Sequence, residues 1–145
     1  MPLVAAVCAT SLQSCDKDDD YDIRQAPREL VEAFNAKFPG VDGQWVEWEW
    51  NGRMNAYEAD FWQDRYEKSA WFSKSYEWLM TETDYNPPFS EVPQAVIDAA
   101  ETQNPDYRIE DIDYIETPQE NYYNVEMERN DRDIYVDIYA DGTLR

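Results

Sequence analysis

The sequence predicts an α+β fold in which two helices cover one face of a single antiparallel sheet. Segments that alternate apolar and polar residues, as strands with one buried face do, fill most of the chain after residue 45. Two segments with apolar residues at helical spacing begin near Pro27 and Pro93, and each precedes a group of these strands. One helix can cover the apolar face of each group, which predicts a two-layer domain with roughly seven or eight strands.

The two groups align as a tandem repeat when the chain is shifted by 66 positions. Identical residues coincide at several pairs of positions, among them Pro27 with Pro93, Ala33 with Ala99, Pro39 with Pro105 and Tyr57 with Tyr123. Apolar character also agrees along the strands, as at Val46 with Ile112 and Phe61 with Met127. We therefore expect two tandem α-β-β-β(-β) units in a domain at 26–145, the first over about 26–84 and the second over about 92–145.

Each unit begins with a predicted helix. Pro27 suits a first helical turn, and Leu30, Val31, Phe34 and Phe38 form one apolar stripe that Pro39-Gly40 ends. The second helix is predicted over about 93–102, ahead of Asn104-Pro105.

The predicted strands place alternate residues on opposite faces. The residues expected to face the helices are Val46, Trp48, Trp50, Tyr57, Ala59, Phe61, Ala70 and Phe72 in the first unit, and Ile112, Tyr114, Tyr123, Val125, Met127, Ile134, Val136 and Ile138 in the second. Hairpin loops are predicted at 63–65 and 129–132, a last turn at Asp141-Gly142, and a stiff connector at Pro87-Pro88.

The first residues predict export. Leu3 to Leu12 is an apolar run of about ten residues, too short to cross a bilayer but typical of a signal-peptide core. Ser14-Cys15 resembles a bacterial lipobox, so we expect a signal peptide at 1–14, lipidation at Cys15 and an acidic tether at 15–25. Since Met1-Pro2 lacks the usual Lys or Arg, we expect the true start upstream. The expected location is the periplasm or the outer-membrane surface, with membrane contact only through the lipid.

Composition narrows the classes of function. The 145 residues include 32 acidic and 12 basic ones, a formal charge of −20 that disfavours nucleic acid. Histidine is absent, and both cysteines, Cys8 and Cys15, lie near the N-terminus. With no Gly-rich phosphate loop and no nucleophile elbow, the sequence predicts no enzyme, no cofactor and no metal site. Glu47 and Glu49 could imitate a glycosidase pair, but acidic pairs recur throughout the chain.

The outward-facing strand residues predict a binding surface. Candidate partner-binding residues combine aromatic and acidic side chains, namely Trp45, Trp62, Trp71, Glu47, Glu49, Tyr135 and Tyr139. They indicate a protein or peptide partner, and the charge favours a basic one. The first unit carries all six tryptophans, so we expect it to contribute most of the binding surface. We expect the protein to be a monomer. Alternatively, the rings only shield the sheet, or the protein binds cell-surface carbohydrate or calcium, because indoles stack on sugars and carboxylates bind calcium.

Several segments resemble a known family. They are Phe38-Pro39, Val46-Glu47-Trp48, the strand 57–61, Ala70-Trp71-Phe72 and the strand 78–82. Together they resemble the PepSY-like proteins of Bacteroidetes (DUF2874-type), whose architecture is similar to that of the β-lactamase inhibitor protein. The resemblance covers about 26–145 and implies a periplasmic or surface protein with an inhibitor-like or peptide-binding role. It carries over no catalytic or inhibitory residue, since fold does not fix function.

Overall fold

The computed structural model describes residues 20–145, and its strands follow one another across the sheet in chain order. Every strand pairs antiparallel with the next, which gives one continuous eight-stranded sheet. Both helices lie against the same face of this sheet. The predicted α+β class, with a helix layer over one antiparallel sheet, is confirmed. Neither helix in the described range is long and apolar enough to cross a membrane.

The elements have the following bounds. The first part of the chain contains β1 (Tyr21–Asp22), α1 (Arg28–Lys37), a 3-10 turn (Gly43–Trp45), β2 (Glu47–Asn51), β3 (Ala56–Gln63), β4 (Tyr66–Phe72) and β5 (Trp78–Tyr85). The second part contains α2 (Gln94–Gln103), β6 (Arg108–Glu116), β7 (Asn121–Glu128) and β8 (Asp133–Ile138). The predicted helices and strands are all present, with ends that differ by one to three residues.

A proline stands immediately before each helix. Pro27 and Pro93 are the N-caps of α1 and α2, where the missing N–H of proline removes no helical hydrogen bond. Each helix is 10 residues long. The two prolines at matched positions therefore explain why both helices begin at matched positions.

The helices cover two separate hydrophobic clusters. In the first, α1 inserts Phe34, which is 1% exposed, edge-on against Phe61 and Trp48 at ring-centroid distances of 4.9 and 5.4 Å. In the second, the small Ala100 of α2 occupies the matched position. That cluster is filled mainly from the sheet, by Ile112, Tyr123, Val125, Met127 and Ile138. The inward face predicted from alternation is the face on which both clusters lie.

The hairpin loops use left-handed backbone conformations. Asp64 and Arg65, between β3 and β4, have φ angles of 54° and 76°. Asn130 and Asp131, between β7 and β8, have φ angles of 51° and 59°. Such paired positive φ angles match the right-handed twist of the flanking strands. Both predicted hairpins are confirmed.

The predicted tether is wrong in its last part. Tyr21 and Asp22 form β1, which pairs with Trp50 and Glu49. The N–H of Ile23 also donates to the carbonyl of Trp48 at 2.7 Å. These hydrogen bonds pair backbone groups along the outer edge of β2 that would otherwise be unpaired. Because they involve only the backbone, acidic residues can form this strand. The signal peptide at 1–14, Cys15 and tether residues 16–19 lie outside the described residues.

The two parts of the chain share an order of elements but differ in extent. After α1 come four strands, β2 to β5, whereas α2 is followed by three, β6 to β8. After β8 the chain turns at Gly142, and Leu144 forms a single bridge to Ile138. The duplication itself, with its 66-residue register, stays a prediction.

Candidate functional site

The face of the sheet opposite the helices carries most of the predicted binding residues, and we call it the open face. Its strand side chains include Glu47, Glu49, Glu58, Asp60, Trp62, Glu67, Ser69, Trp71, Met80, Glu82, Asp84, Asp111, Asp113, Ile115, Tyr122, Asn124, Glu126, Tyr135 and Asp137. The predicted strand phase is therefore correct, because these residues alternate with the core residues along each strand. Eleven of the nineteen are Asp or Glu, so the open face is strongly acidic.

The centre of the open face contains a small cavity of about 170 Å³ with an acidic lining. Its lining residues are Glu67, Ser69, Glu82, Asp84, Asp111 and Asp113. Asp84 in β5 pairs directly with Asp113 in β6. Oxygen atoms of Asp84, Asp111 and Asp113 lie within 4.8 Å of one another. We call the three aspartates the aspartate cluster.

Burial and like charge shift the proton affinities of the aspartate cluster. Burial, followed by the charges of Glu82 and Asp111, raises the pKa of Asp113 to about 8. Burial also raises the pKa values of Glu82, Asp84 and Asp111. Oδ1 of Asp84 is fully covered and accepts no hydrogen bond from the described residues. The raised pKa means that the carboxyl of Asp113 favours its protonated form near neutral pH.

A second group of carboxylates lies on β2 and β3. Burial, and then the charge of Glu58, raises the pKa of Glu49 to about 7. Burial likewise raises the pKa of Asp60, although Ser69 Oγ donates a hydrogen bond to Asp60 Oδ1 at 2.5 Å and opposes the shift. Asn51 Nδ2 donates to Glu58 Oε2 at 2.7 Å. Negative charge thus extends from the centre of the open face to the β2 edge.

An apolar cleft of about 330 Å³ lies beside the acidic surface and is lined by Val41, Asp42, Trp45 and Trp62. The 3-10 turn positions Trp45, and Asp42 Oδ1 caps that turn by accepting the N–H of Gln44 at 3.0 Å. Trp45 is 75% exposed and Trp62 is 61% exposed. We call this site the tryptophan cleft.

The other predicted aromatic residues differ in accessibility. Trp71 lies on the open face but is only 6% exposed, so the expectation that it is available to a partner is wrong. Its neighbours on the same face, Glu58 and Met80, flank it on the adjoining strands. Tyr135 is 63% exposed and donates from its hydroxyl to Glu126 at 3.2 Å.

Tyr139, just after β8, is half-buried and donates from its hydroxyl to Glu120 Oε2 at 2.6 Å. Of the two predicted acidic residues, Glu47 is exposed and Glu49 is partly buried. The structure therefore brings together Trp45 and Trp62 at one end, with Glu47 and Glu49 on the adjoining strand. Tyr135 and Tyr139 lie at the opposite edge.

Sequence reasoning did not single out the aspartate cluster, or Val41 and Asp42. The sequence carries a signal for the cluster, because Asp111 and Asp113 are separated by one residue, as are Glu82 and Asp84. Such spacing places both carboxylates of a pair on one face of a strand. The pairing of β5 with β6 then brings the two pairs together.

A layer of two helices on one face of an eight-stranded antiparallel sheet, with a polar and aromatic opposite face, defines a two-layer α+β domain. A family model described as "Putative beta-lactamase-inhibitor-like, PepSY-like" matches residues 55–144. The chain belongs to this PepSY-like family.

Solved structures agree with this assignment. A BLIP-like protein from Bacteroides fragilis is 25% identical, with a TM-score of 0.73 over 85% of each chain. A DUF2874 family protein from Bacteroides uniformis is 22% identical, with a TM-score of 0.72 over 83% of this chain and 86% of that one. A protein from Bacteroides eggerthii described as a "putative periplasmic" protein is 21% identical, with a TM-score of 0.71 over the same shares. A comparison with curated proteins finds no match.

Proposed function

We propose that the protein is an exported, non-catalytic binding module that holds a protein or peptide partner against its open face. The observation that carries this proposal is the exposure of Trp45 and Trp62, which line the tryptophan cleft beside the open-face strand β3. Exposed tryptophans contribute strongly to binding, because the rigid indole buries a large area at low cost in conformational entropy. The inhibitor-like description of the family supports the same class of function.

Export is part of the proposal. One structural relative is described as periplasmic. The lipobox-like Ser14-Cys15 supports anchoring through a lipid on Cys15. Metabolic labelling with a palmitate analogue tests the anchor, and a Cys15→Ser variant should lose the label.

The test of partner binding is affinity capture from a bacterial envelope extract with residues 20–145. A Trp45→Ala/Trp62→Ala variant should lose captured proteins that the unchanged domain retains. Tyr21→Ala is the matched control, because Tyr21 is 58% exposed and pairs with Trp50, which belongs to the other face. A captured protein is then purified and titrated directly. Equal capture and equal affinity for all three proteins would refute binding through the open face.

The calcium alternative makes a separate prediction. A specific site at the aspartate cluster would raise the melting temperature by mass action as calcium is added. Thermal denaturation with millimolar calcium, and with a chelator as reference, measures the effect. The absence of a shift would count against calcium binding.

A further inference from the structure

We infer that the partner presents an extended cationic segment to the open face, with one Arg or Lys side chain held in the tryptophan cleft. This inference rests on the proposed function and specifies the chemistry of the partner. The proposed occupant of the open face is a basic polypeptide segment, and the experiment includes a neutral oligosaccharide as the competing ligand.

The tryptophan cleft has the composition that a cationic side chain requires. Indole faces attract ammonium and guanidinium groups, and the flat guanidinium also stacks on them. Trp45 and Trp62 are both more than half exposed, so a side chain from another molecule can reach both rings. Asp42 supplies a carboxylate at the same cleft, and Val41 an apolar wall for the methylene groups.

A row of carboxylates leads from the cleft across the sheet. Trp62 pairs with Glu67 on the next strand, and Glu67 and Asp84 line one cavity. Asp84 in turn pairs with Asp113. Strands are about 4.8 Å apart, so these carboxylates lie about 5, 10 and 14 Å from the position of Trp62.

An extended peptide matches this spacing. Alternate side chains of an extended strand point the same way and recur about every 6.7 Å. With one basic residue in the cleft, the second side chain on that side lies between Glu67 and Asp84. The third lies about 13 Å away, beside Asp113. The row therefore selects basic residues at positions i, i+2 and i+4.

The overall charge favours the same partner. The chain carries a formal charge of −20, and its open face concentrates carboxylates that repel one another. A cationic segment neutralises that repulsion, whereas an acidic segment would increase it.

The test is fluorescence anisotropy with a labelled peptide that carries three arginines at alternate positions, separated by serines, at about 150 mM salt. A control peptide has citrulline in place of each arginine, which removes the charge and keeps the shape. We expect the arginine peptide to bind and the citrulline peptide to bind at least about tenfold more weakly. The Trp45→Ala/Trp62→Ala variant should weaken the arginine peptide by about tenfold or more.

Matched charge variants distinguish the effect of the carboxylate row from the effect of the net charge of the protein. Glu67→Gln/Asp84→Asn removes two charges from the row, and Asp98→Asn/Glu101→Gln removes two from exposed positions on α2. The first pair should weaken binding several-fold and the second by less than twofold. Thermal denaturation of each variant confirms that it is folded. Equal weakening by both pairs would overturn the inference, because only net charge would then be sensed.

Two further outcomes would also overturn the inference. One is equal binding of the arginine and citrulline peptides. The other is no peptide binding together with tryptophan-dependent binding of a neutral oligosaccharide, which would assign the cleft to sugar. If envelope capture depends on Trp45 and Trp62 while the arginine peptide does not bind, the inference fails and the proposed function stands. If the arginine peptide binds as expected but its binding does not depend on these tryptophans, the inference is also overturned, because the tryptophan cleft then does not hold the basic side chain.

Discussion

At the scale of one residue, Asp113 shows how a partly buried carboxylate on the open face lowers the stability of the folded protein. Its neighbours across the sheet are Asp84 on β5 and Asn124 on β7. Burial and nearby carboxylates raise its pKa from 3.8 to about 8. The folded protein therefore favours the protonated form of Asp113. This contribution to stability is complete below about pH 4 and is lost as the pH rises through 8.

We predict that Asp113→Asn stabilises the protein in alkaline solution. The amide keeps the shape of the side chain but carries no charge to desolvate, so at pH 9 the free energy of unfolding should rise by about 1 kcal/mol or more. Near pH 3 the gain should vanish, since the wild-type carboxyl is then protonated in the folded state and largely so in the unfolded state. Urea denaturation at both pH values measures it.

The control for Asp113→Asn is Glu101→Gln, which removes a charge from an exposed position on α2. It should change the free energy of unfolding by less than about 0.5 kcal/mol. Destabilisation of Asp113→Asn at pH 9 would contradict the prediction. It would indicate that a bound cation holds the carboxylate in its charged form.

Trp71 shows what alternation in the sequence predicts and what it does not. The pattern Ser69, Trp71 against Ala70, Phe72 correctly predicts the face of the sheet on which each side chain lies. It does not predict exposure, because a large ring on an open face is covered by its neighbours on adjacent strands. Trp62 lies on the same face, but β2 begins opposite Asp60, so Trp62 pairs only with Glu67 and is 61% exposed. Accessibility therefore depends on which neighbours the strand pairing places beside a side chain.

At the scale of elements, the last turn and α2 are in close contact. Gly142 has a φ of +87°, and a Cβ atom there would lie 2.8 Å from the carbonyl oxygen of Ala95 in the first turn of α2. Both the backbone conformation and the space therefore require glycine. This contact joins the segment after β8 to the start of α2.

We predict that Gly142→Ala destabilises the protein by about 1–3 kcal/mol, because the added methyl group must displace backbone atoms at a positive φ. Gly43→Ala is the matched control, since nothing lies within 4 Å of its Cβ position and its φ is not positive. Chemical denaturation of both variants measures the difference. Similar stability of the two variants would show that the turn and α2 separate easily.

The pairing of elements was predictable only in part. Each hairpin follows from a short loop with turn residues, so β3 with β4 and β7 with β8 could be read locally. The pair β5 and β6 is separated by the connector and by α2. Periodicity does not specify which strands meet across such a distance, and the aspartate cluster depends on that pair. β1 was missed because two acidic residues at a sheet edge carry no strand pattern.

At the scale of the whole molecule, the carboxylates with shifted pKa values divide into two classes. Burial, with like charge added, raises the pKa values of a group on the open face, namely Glu49, Asp60, Glu82, Asp84, Asp111 and Asp113. Hydrogen bonds lower the pKa values of another group, which includes Glu120 beside Arg145 and Glu128 beside the N–H of Asp131. The first class favours folding at low pH and the second at higher pH.

We therefore predict that stability is greatest in mildly acidic solution and falls on both sides of it. From pH 5 to pH 9 the carboxyl of Glu49 loses its proton near pH 7 and that of Asp113 near pH 8, so the melting temperature should fall. As the pH falls below the ordinary range of carboxyl groups and through the lowered pKa values of the second class, these carboxylates take up protons, their charge-assisted hydrogen bonds are lost and stability should fall again. Added salt should raise the melting temperature more at pH 9 than at pH 5, because screening relieves the repulsion among the carboxylates that are charged at pH 9. Thermal denaturation across pH, with and without 0.5 M sodium chloride, measures both effects. A higher melting temperature at pH 9 than at pH 5 would contradict the prediction, and would mean that the open face is stabilised, not strained, by its negative charge.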